Sequence, residues 1–205
     1  MKIDAMLALI ERRVSANRFD ATHVLPDTVI GELARLATRA PTAYHLQNWR
    51  FVAAKTPEAK ATLRALAYDQ AKVSDAAVTF IVCGQLPDAL RIHERLSPFV
   101  ESGHMTAETS SSWQDGARAQ YTNPRDARDE AVRSASLGAA TLIYAAEAMG
   151  FVSGAMGGFD AEGVARAFAL GADEVPVMLV CVGRAAPGNW PQKPRRPLSE
   201  VLVIA

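Results

Sequence analysis

The sequence feature that most constrains the fold is a long helical pattern from Asn123 to Phe151. It starts with an asparagine followed by a proline, a pair typical of a helix N-cap and first turn. Its first half is charged, whereas its second half, LGAATLIYAAEAMGF, is apolar on nearly every side. A helix that is apolar all round must be buried, so this segment is predicted to form a central helix.

Small residues in the apolar half of this pattern would let a second helix approach closely. They are Gly138, Ala139, Ala140, Ala145 and Ala146. The simplest occupant of such a face is the same helix of a second subunit. The pattern therefore favours a homodimer.

The other patterns alternate irregularly between helix and strand. Helices are predicted at 1–13, 26–39, 56–73 and 160–170, with an amphipathic segment at 87–101. Strands are predicted at 48–54, 77–84 and 174–183, and the proline-rich tail ends in a fourth strand-like run. The Ser-rich stretch 106–113 is either a loop or a helix start. Helices and strands mixed without a strict βαβ order predict an α+β fold, with a sheet sandwiched by helices.

Length and charge limit the classes of protein. A chain of 205 residues fits one domain, 1–205, and we expect its apolar tail (185–205) to dock on a partner subunit. Lys plus Arg and Asp plus Glu both count 22, so no net charge draws the chain to nucleic acid. The N-terminus does not resemble a signal peptide, and no apolar run reaches the ~18 residues of a membrane helix. We therefore expect a cytoplasmic protein with no membrane or nucleic-acid partner.

Several common catalytic motifs are absent from the sequence. No GxGxxG follows a strand and opens a helix, and there is no Walker A segment, HExxH or GxSxG. The four histidines lack metal-ligand spacing, so no metal site is predicted. Cys83 and Cys181 lie in apolar strand-like runs and are interpreted as buried small hydrophobes rather than a disulfide or redox pair.

Three places concentrate polar groups beside apolar elements. The first is RRVSANR at the end of the first helix, where guanidiniums and a hydroxyl suit a phosphate. The second is TAYHLQN before the first strand, and the third is KPRR in the tail. Each place also has a plainer explanation. The arginines of the first could complement a helix C-terminus, the polar groups of the second could cap a turn, and the cations of the third could be solvated surface charge.

Taken in order, these places carry a resemblance to a known family. The segments RRVSANRFD, ELARLATRAPTAYHLQNWRFVAA, AYDQAKVSDAAVTFIV, AAEAMGFVSGAMGGFD and PVMLVCVGRA with PRRPLSEV resemble successive landmarks of the FMN-dependent nitroreductases. The similarity runs from about Glu11 to Val201. It implies an intertwined homodimer with a three-layer α/β/α sandwich, a mixed and mostly antiparallel sheet, and FMN at the subunit interface.

The resemblance also implies roles for individual residues. Arg12, Arg13 and Ser15, with Asn17, would hold the FMN phosphate and ribityl chain, and Lys193 and Arg195 would contact the phosphate again. Thr42, Ala43, Tyr44 and His45 would line the flavin from the other subunit. Gln70 and Lys72 would lie near the pyrimidine edge and N1, and Gly157 and Gly158 near N5.

Physical chemistry agrees with two of these roles. Reduced flavin is an anion near N1 and O2, so a cation such as Lys72 would stabilise it. Glycine at 157 and 158 lets the backbone come close to the ring. His45 stands where family members often have Asn. The histidine keeps a hydrogen-bonding group at this position but extends further from the backbone or in a different direction.

The implied activity is reduction of a small acceptor, such as a nitroaromatic, quinone or enal, by NADH or NADPH in alternating half-reactions. Trp113 and Tyr121 are candidates for covering the acceptor, or for plain packing. Three alternatives stay open: a flavin-binding or sensing module without turnover, a flavin enzyme for reductive dehalogenation or flavin breakdown, and a helical interaction protein.

Overall fold

A computed structural model describes residues 3–205, with side chains from residue 5 onward. Within that range the chain forms eight α-helices and four β-strands. The helices are α1 (Ile3–Arg12), α2 (Asp27–Ala37), α3 (Pro57–Leu66), α4 (Ala71–Asp75), α5 (Leu90–Glu101), α6 (Ala107–Gln120), α7 (Pro124–Ala148) and α8 (Ala161–Ala167). The strands are β1 (Trp49–Ala54), β2 (Val78–Gln85), β3 (Val152–Met156) and β4 (Glu174–Gly183). Short 3-10 helices lie at Ala43–His45 and Leu198–Glu200.

The strands form one sheet in the order β1-β2-β4-β3. All three pairings between these strands are antiparallel, and a parallel bridge joins Ser15 to Ser153 beside the sheet. The central strands β2 and β4 are almost wholly buried from Val78 to Gly84 and from Leu179 to Gly183. Their continuous apolar sequences follow from this position, because both faces of a central strand are covered.

Helices cover both faces of the sheet. On one face α2 and α7 pack on the strands, with Leu33, Leu142 and Phe80 in the shared core. On the other face α3, α4 and α8 enclose a second core that includes Leu63 and Ile81. A smaller cluster around Leu46, Ile92 and Leu96 joins α5 and α6 to the Ala43–His45 turn. The predicted α+β sandwich is therefore confirmed.

The long helix α7 is placed as the sequence predicted, but its small residues have a different role. The Asn123 side chain caps the helix by accepting a hydrogen bond from the Arg125 backbone amide. Ala139 and Ala146 are buried in the chain's own core against α2 and the sheet, and a Cβ at Gly138 would come 3.1 Å from Phe51. The expectation that these small residues receive a second subunit's helix is wrong, because the helix turns that stripe toward its own sheet. Of the five, Ala140 is exposed.

Other elements differ in detail from the sequence prediction. The predicted helix 56–73 is divided into α3 and α4, because Tyr68 and Asp69 adopt positive φ angles of 54° and 56° between them. The strand β3 was not predicted, and the Ser-rich stretch is part of helix α6. The helix predicted at 1–13 is seen as Ile3–Arg12, with residues 1 and 2 outside the described range.

The predicted strand at the end of the tail is not formed within the single chain. After the 3-10 turn the tail is irregular and exposed, and residues Val203 and Ile204 are 88% and 89% accessible. Both cysteines are buried and free, as predicted. Within residues 3–205, no helix combines the length and apolarity needed to cross a bilayer.

Candidate functional site

The two ends of the sequence meet at a small basic cavity of about 140 Å³. The segment after α1 contributes Arg13 and Ser15, and the tail contributes Gln192, Lys193 and Arg195. The Gln192 side chain donates to the Arg13 carbonyl at 3.1 Å and accepts from the Arg195 guanidinium at 2.8 Å. Three cationic side chains around one small cavity suit a phosphate, because each can make charge-assisted hydrogen bonds to it.

A residue that sequence reasoning missed, Asn189, holds the tail in this place. Its side-chain oxygen accepts hydrogen bonds from the backbone amides of Asn17 and Arg18 at 2.8 and 3.0 Å. Its side-chain nitrogen donates to the carbonyls of Arg18 and Ala186. The available signal was the Pro-Gly pair immediately before it, which marks a turn where an asparagine side chain often bonds to nearby backbone.

Arg12 does not join this cavity in the single chain. Its guanidinium lies 3.3 Å from the carboxylate of Glu147 on α7 and is otherwise exposed to solvent. Arg12 ends helix α1, whereas Arg13 follows it, so the two neighbouring side chains leave in different directions. Arg13, not Arg12, is the arginine that the fold brings to the tail cations.

A larger polar cavity of about 700 Å³ lies beside the basic cavity and shares Lys193 and Trp190 with it. Asn17 lines it. The half-buried Lys72, near the start of α4, places its ammonium group 3.5 Å from the Asn17 side-chain oxygen. Lys193 lies over the Trp190 ring, 5.3 Å from its centroid. The predicted residues Asn17, Lys72 and Lys193 are therefore brought together.

Gln70 connects the same region to the glycine pair after β3. Its side-chain amide donates to the Gly158 carbonyl at 3.1 Å and to the Ala67 carbonyl at 3.2 Å. Gly157 and Gly158 are both exposed, and a Cβ built on Gly157 would meet no atom of the described chain within 4 Å. The backbone therefore has an open face here on which a flat ring could lie.

The segment Thr42–His45 lies at a separate cavity of about 440 Å³, with Trp49 and Trp113 in its wall. No lining residue of this cavity also lines the two cavities at the chain ends. The Thr42 hydroxyl accepts a hydrogen bond from the Gln47 amide at 3.0 Å, and Tyr44, His45 and Gln47 have positive φ angles of 49°, 56° and 46°. Three non-glycine residues in the left-handed region make an unusual backbone, of a kind often found at functional sites.

Aromatic side chains fix the Tyr44 ring. Tyr44 makes edge-on contacts with Trp113 and Tyr121, and its hydroxyl donates to the Gln120 side chain at 2.8 Å. Burial, and then the nearby charge of Glu130, raise the pKa of Tyr121 to about 12. The two aromatic residues expected near the acceptor, Trp113 and Tyr121, thus pack on the predicted flavin-rim segment.

The surroundings of His45 favour the neutral form of its imidazole. Partial burial and then the charge of Arg95 lower the pKa of His45 below its ordinary value. Its Nε2 lies 2.8 Å from the Gln47 side-chain nitrogen, which is a donor, so the imidazole accepts at this atom. At neutral pH this segment therefore presents a neutral imidazole rather than a cation.

The chain is similar to known proteins over most of its length. The sequence model of the Nitroreductase family matches residues 10–184. YodC of Bacillus subtilis (strain 168), which carries the name of an NAD(P)H nitroreductase, is 32% identical over 95% of this chain and 96% of its own. The NADH dehydrogenase of Thermus thermophilus is 32% identical over 98% and 96% of the two chains.

A solved structure shares both the fold and some of the sequence. A protein from Exiguobacterium sibiricum 255-15, crystallised in complex with FMN, superposes with a TM-score of 0.88 at 25% identity. The match covers 98% of this chain and 97% of that one. By its family match, by relatives of similar length and by its fold, the chain belongs to the Nitroreductase family.

Proposed function

We propose that this nitroreductase-family oxidoreductase works as a homodimer that binds FMN and reduces a small acceptor, such as a nitroaromatic, quinone or enal, at the expense of NADH or NADPH. Bound FMN supplies the hydride-transfer chemistry between donor and acceptor. The two half-reactions alternate in a ping-pong sequence. The observation that carries the proposal is the convergence of Arg13, Lys193 and Arg195 on one cavity.

The residues present fit FMN. The basic cavity would hold the phosphate, because Arg13, Lys193 and Arg195 offer several charged donors and no carboxylate from residue 5 onward lines the cavity. The exposed backbone at Gly157 has room for a flat ring, since even a Cβ there would touch nothing in the described chain. Cationic donors and an open planar surface are the two features that a phosphorylated isoalloxazine requires.

The remaining residues position and tune the bound group. Gln70 holds the Gly158 carbonyl and so fixes the conformation of the glycine pair. Lys72 would supply positive charge where negative charge develops on reduction, which favours the reduced state. Asn17 holds the Lys72 ammonium group in place. On this assignment, no side chain need act as a nucleophile.

The homodimer explains why the predicted flavin residues form two separate groups on one chain. We assign the Thr42–His45 segment of each subunit to the cofactor held by the chain ends of the other. Exposed apolar side chains on α1, at Met6, Leu7 and Ile10, and in the tail, at Val203 and Ile204, supply surface for such an interface. We propose that the tail docks on the partner subunit, and the cytoplasmic location stays a prediction.

Absorbance and turnover test the proposed function. The purified protein should show flavin absorbance bands after incubation with FMN, and NADH or NADPH oxidation should increase when menadione or a nitroaromatic is added. Parallel lines in double-reciprocal plots at varied acceptor concentration would support the ping-pong sequence. A protein that takes up FMN but gives no turnover above free FMN would instead be a binding module, and one that stays colourless would contradict the proposal altogether.

The oligomeric state is tested separately by sedimentation equilibrium. The expected mass is that of two 22.0 kDa chains. Deletion of residues 198–205 should weaken the dimer if the tail docks on the partner subunit. A monomer with full FMN occupancy would overturn the assignment of Thr42–His45 to the partner's cofactor.

A further inference from the structure

A second cavity adjoins the one at Thr42–His45. It has a volume of about 420 Å³ and lies between the Ala43–His45 turn and helices α5 and α6. Its wall includes His45, Arg95, Leu96, Phe99, Met105 and Trp113. His45 and Trp113 also line the neighbouring cavity, so the two spaces share a wall. Among the side chains that the structure describes, no carboxylate lines this space.

The cation in this wall, Arg95, is half-buried and has no ion pair among the described residues. The two carboxylates whose charges act on it, Asp88 and Glu94, lie 3.7 and 3.8 Å from Arg91 instead. One guanidinium nitrogen of Arg95 donates to the Leu46 carbonyl, which anchors the side chain. A guanidinium has five N–H donors, so most of its hydrogen-bonding capacity is left for another group.

The rest of the wall suits a flat, apolar molecule. Trp113 and Phe99 are only partly covered by the chain, with exposures of 37% and 48%, and Met105 adds an adaptable thioether. The neutral His45 adds a hydrogen-bonding group without a second positive charge. Aromatic and thioether side chains beside one anchored guanidinium match a planar ring that carries an anionic substituent.

We propose that this cavity is the acceptor subsite and that it selects planar, apolar acceptors carrying a carboxylate, with Arg95 binding the carboxylate. The inference rests on the proposed oxidoreductase function and names a substrate class for it. Arg95 is suited to this role because its planar fork pairs with both oxygens of a carboxylate. An uncharged acceptor of the same shape would fill the apolar part of the cavity but leave Arg95 without a counterion.

The test compares two acceptors that differ only in this charge, 4-nitrobenzoate and its methyl ester. We expect the wild-type holoenzyme to have the higher kcat/KM for the acid. Arg95→Gln should lower kcat/KM for the acid about tenfold, mainly through KM, and leave the ester nearly unchanged. Arg95→Lys should restore part of the preference. The matched control is Arg118→Gln on α6, an exposed arginine outside the cavity that pairs with Asp115, which should change neither value.

The ratio of kcat/KM for the acid to kcat/KM for the ester does not depend on how much of a variant is folded, because partial unfolding lowers both values together. An unchanged ratio in Arg95→Gln would overturn the inference, while normal FMN content and menadione turnover in the same preparation would leave the proposed function intact. If no acceptor is reduced at all, the proposed function fails. Titration calorimetry of 4-nitrobenzoate then decides the subsite: weaker binding to Arg95→Gln than to wild type supports it, and equal or absent binding rejects it.

Discussion

The side-chain amide of Gln70 lies 3.1 Å from the carbonyl oxygen of Gly158 and donates a hydrogen bond to it. This bond joins the residue preceding α4 to the glycine pair that follows β3. Gln70→Ala removes it, so we expect a modest loss of stability, about 1 kcal/mol, and weaker FMN binding because the glycine backbone is less well held. Urea unfolding of the apoprotein and FMN titration measure the two effects.

A suitable control for Gln70 is Gln114→Ala on α6, outside the cavities at the chain ends. It should leave FMN binding at the wild-type value. Equal FMN affinity in Gln70→Ala and wild type would show that the Gln70 bond does not prepare the glycine pair for the cofactor.

Arg13 and Arg12 are neighbours in sequence with different surroundings, and this difference predicts different effects on FMN. Arg13→Ala removes a cation from the basic cavity and should raise the FMN dissociation constant about tenfold to hundredfold. Arg12→Ala removes the guanidinium that pairs with Glu147 and should have a smaller effect. Fluorescence titration of the apoproteins measures both constants, and a larger effect for Arg12 would reassign the phosphate contact.

The close approach of α7 to the sheet predicts a severe effect of one small substitution. A Cβ at Gly84 in β2 would overlap the backbone carbonyl of Ala131 on α7. Gly84→Ala should therefore cost about 3 kcal/mol of unfolding free energy, or prevent folding, because the helix backbone must move.

The control for Gly84 is Gly31→Ala in α2, where a Cβ would meet no atom within 4 Å. Alanine is the better helix former by about 0.8 to 1 kcal/mol, so this variant should be slightly more stable than wild type. Thermal and urea unfolding of both variants distinguish local crowding from a general intolerance of alanine. Similar stability of the two variants would contradict the packing described for α7.

The two thiols predict a pH dependence. Burial raises the pKa of Cys83 to about 12 and that of Cys181 to about 11, above the ordinary value of about 8.5. The native protein should therefore resist thiol reagents at pH 8, and the urea-unfolded protein should react at two sites. Raised pKa values in the folded state also mean that the two protonated thiols contribute to the free energy of unfolding. That contribution is fully present below about pH 8.5 and is lost as the pH rises toward 11 and 12.

Unfolding free energies at pH 7.5 and pH 10 measure that dependence. Cys181→Ala should remove part of the decrease, since alanine does not titrate. Rapid labelling of either thiol in the native protein at pH 8 would be inconsistent with the packing of β2 and β4.

His45 gives a second titration that reports on Arg95. Burial and then the Arg95 charge lower the pKa of His45, so its NMR titration midpoint should fall below 6.5. Arg95→Gln removes the charge and should move the midpoint upward. A depressed folded pKa means that stability from this group is present above about pH 6.5 and is lost as the pH falls through the folded pKa. An unchanged midpoint in Arg95→Gln would show that the two side chains are not coupled.

The sequence was most informative where local chemistry and periodicity agreed. The Asn123-Pro124 start and the apolar second half of α7 predicted a buried helix, and the continuous apolar runs of β2 and β4 predicted strands. The small residues of α7 were assigned to the wrong partner because periodicity gives the buried face of a helix but not what covers it. The strand β3 is only five residues long and has Ser153 and Gly154 in its interior, so its strand signal was weak.

The candidate site was predictable in composition but not in geometry. The arginines and the hydroxyl after the first helix indicated a phosphate site, and the resemblance added the tail cations, yet spacing alone could not separate Arg12 from Arg13. That separation arises because α1 ends at Arg12 and Glu147 lies within reach of it. Asn189 and Arg95 were missed, since each acts through contacts with residues distant in sequence.

The hydrogen bonds from Asn17 and Arg18 to Asn189 cross 172 and 171 residues of sequence. Contacts between such distant residues close a very long loop, and they can form only after both ends of the chain have been synthesised. During translation, the basic cavity that we propose binds the phosphate is therefore incomplete until the segment from Asn189 to Arg195 has left the ribosome. On this assignment we expect the protein to acquire FMN late, after the segment that contains Asn189 has folded back onto the segment that contains Asn17 and Arg18.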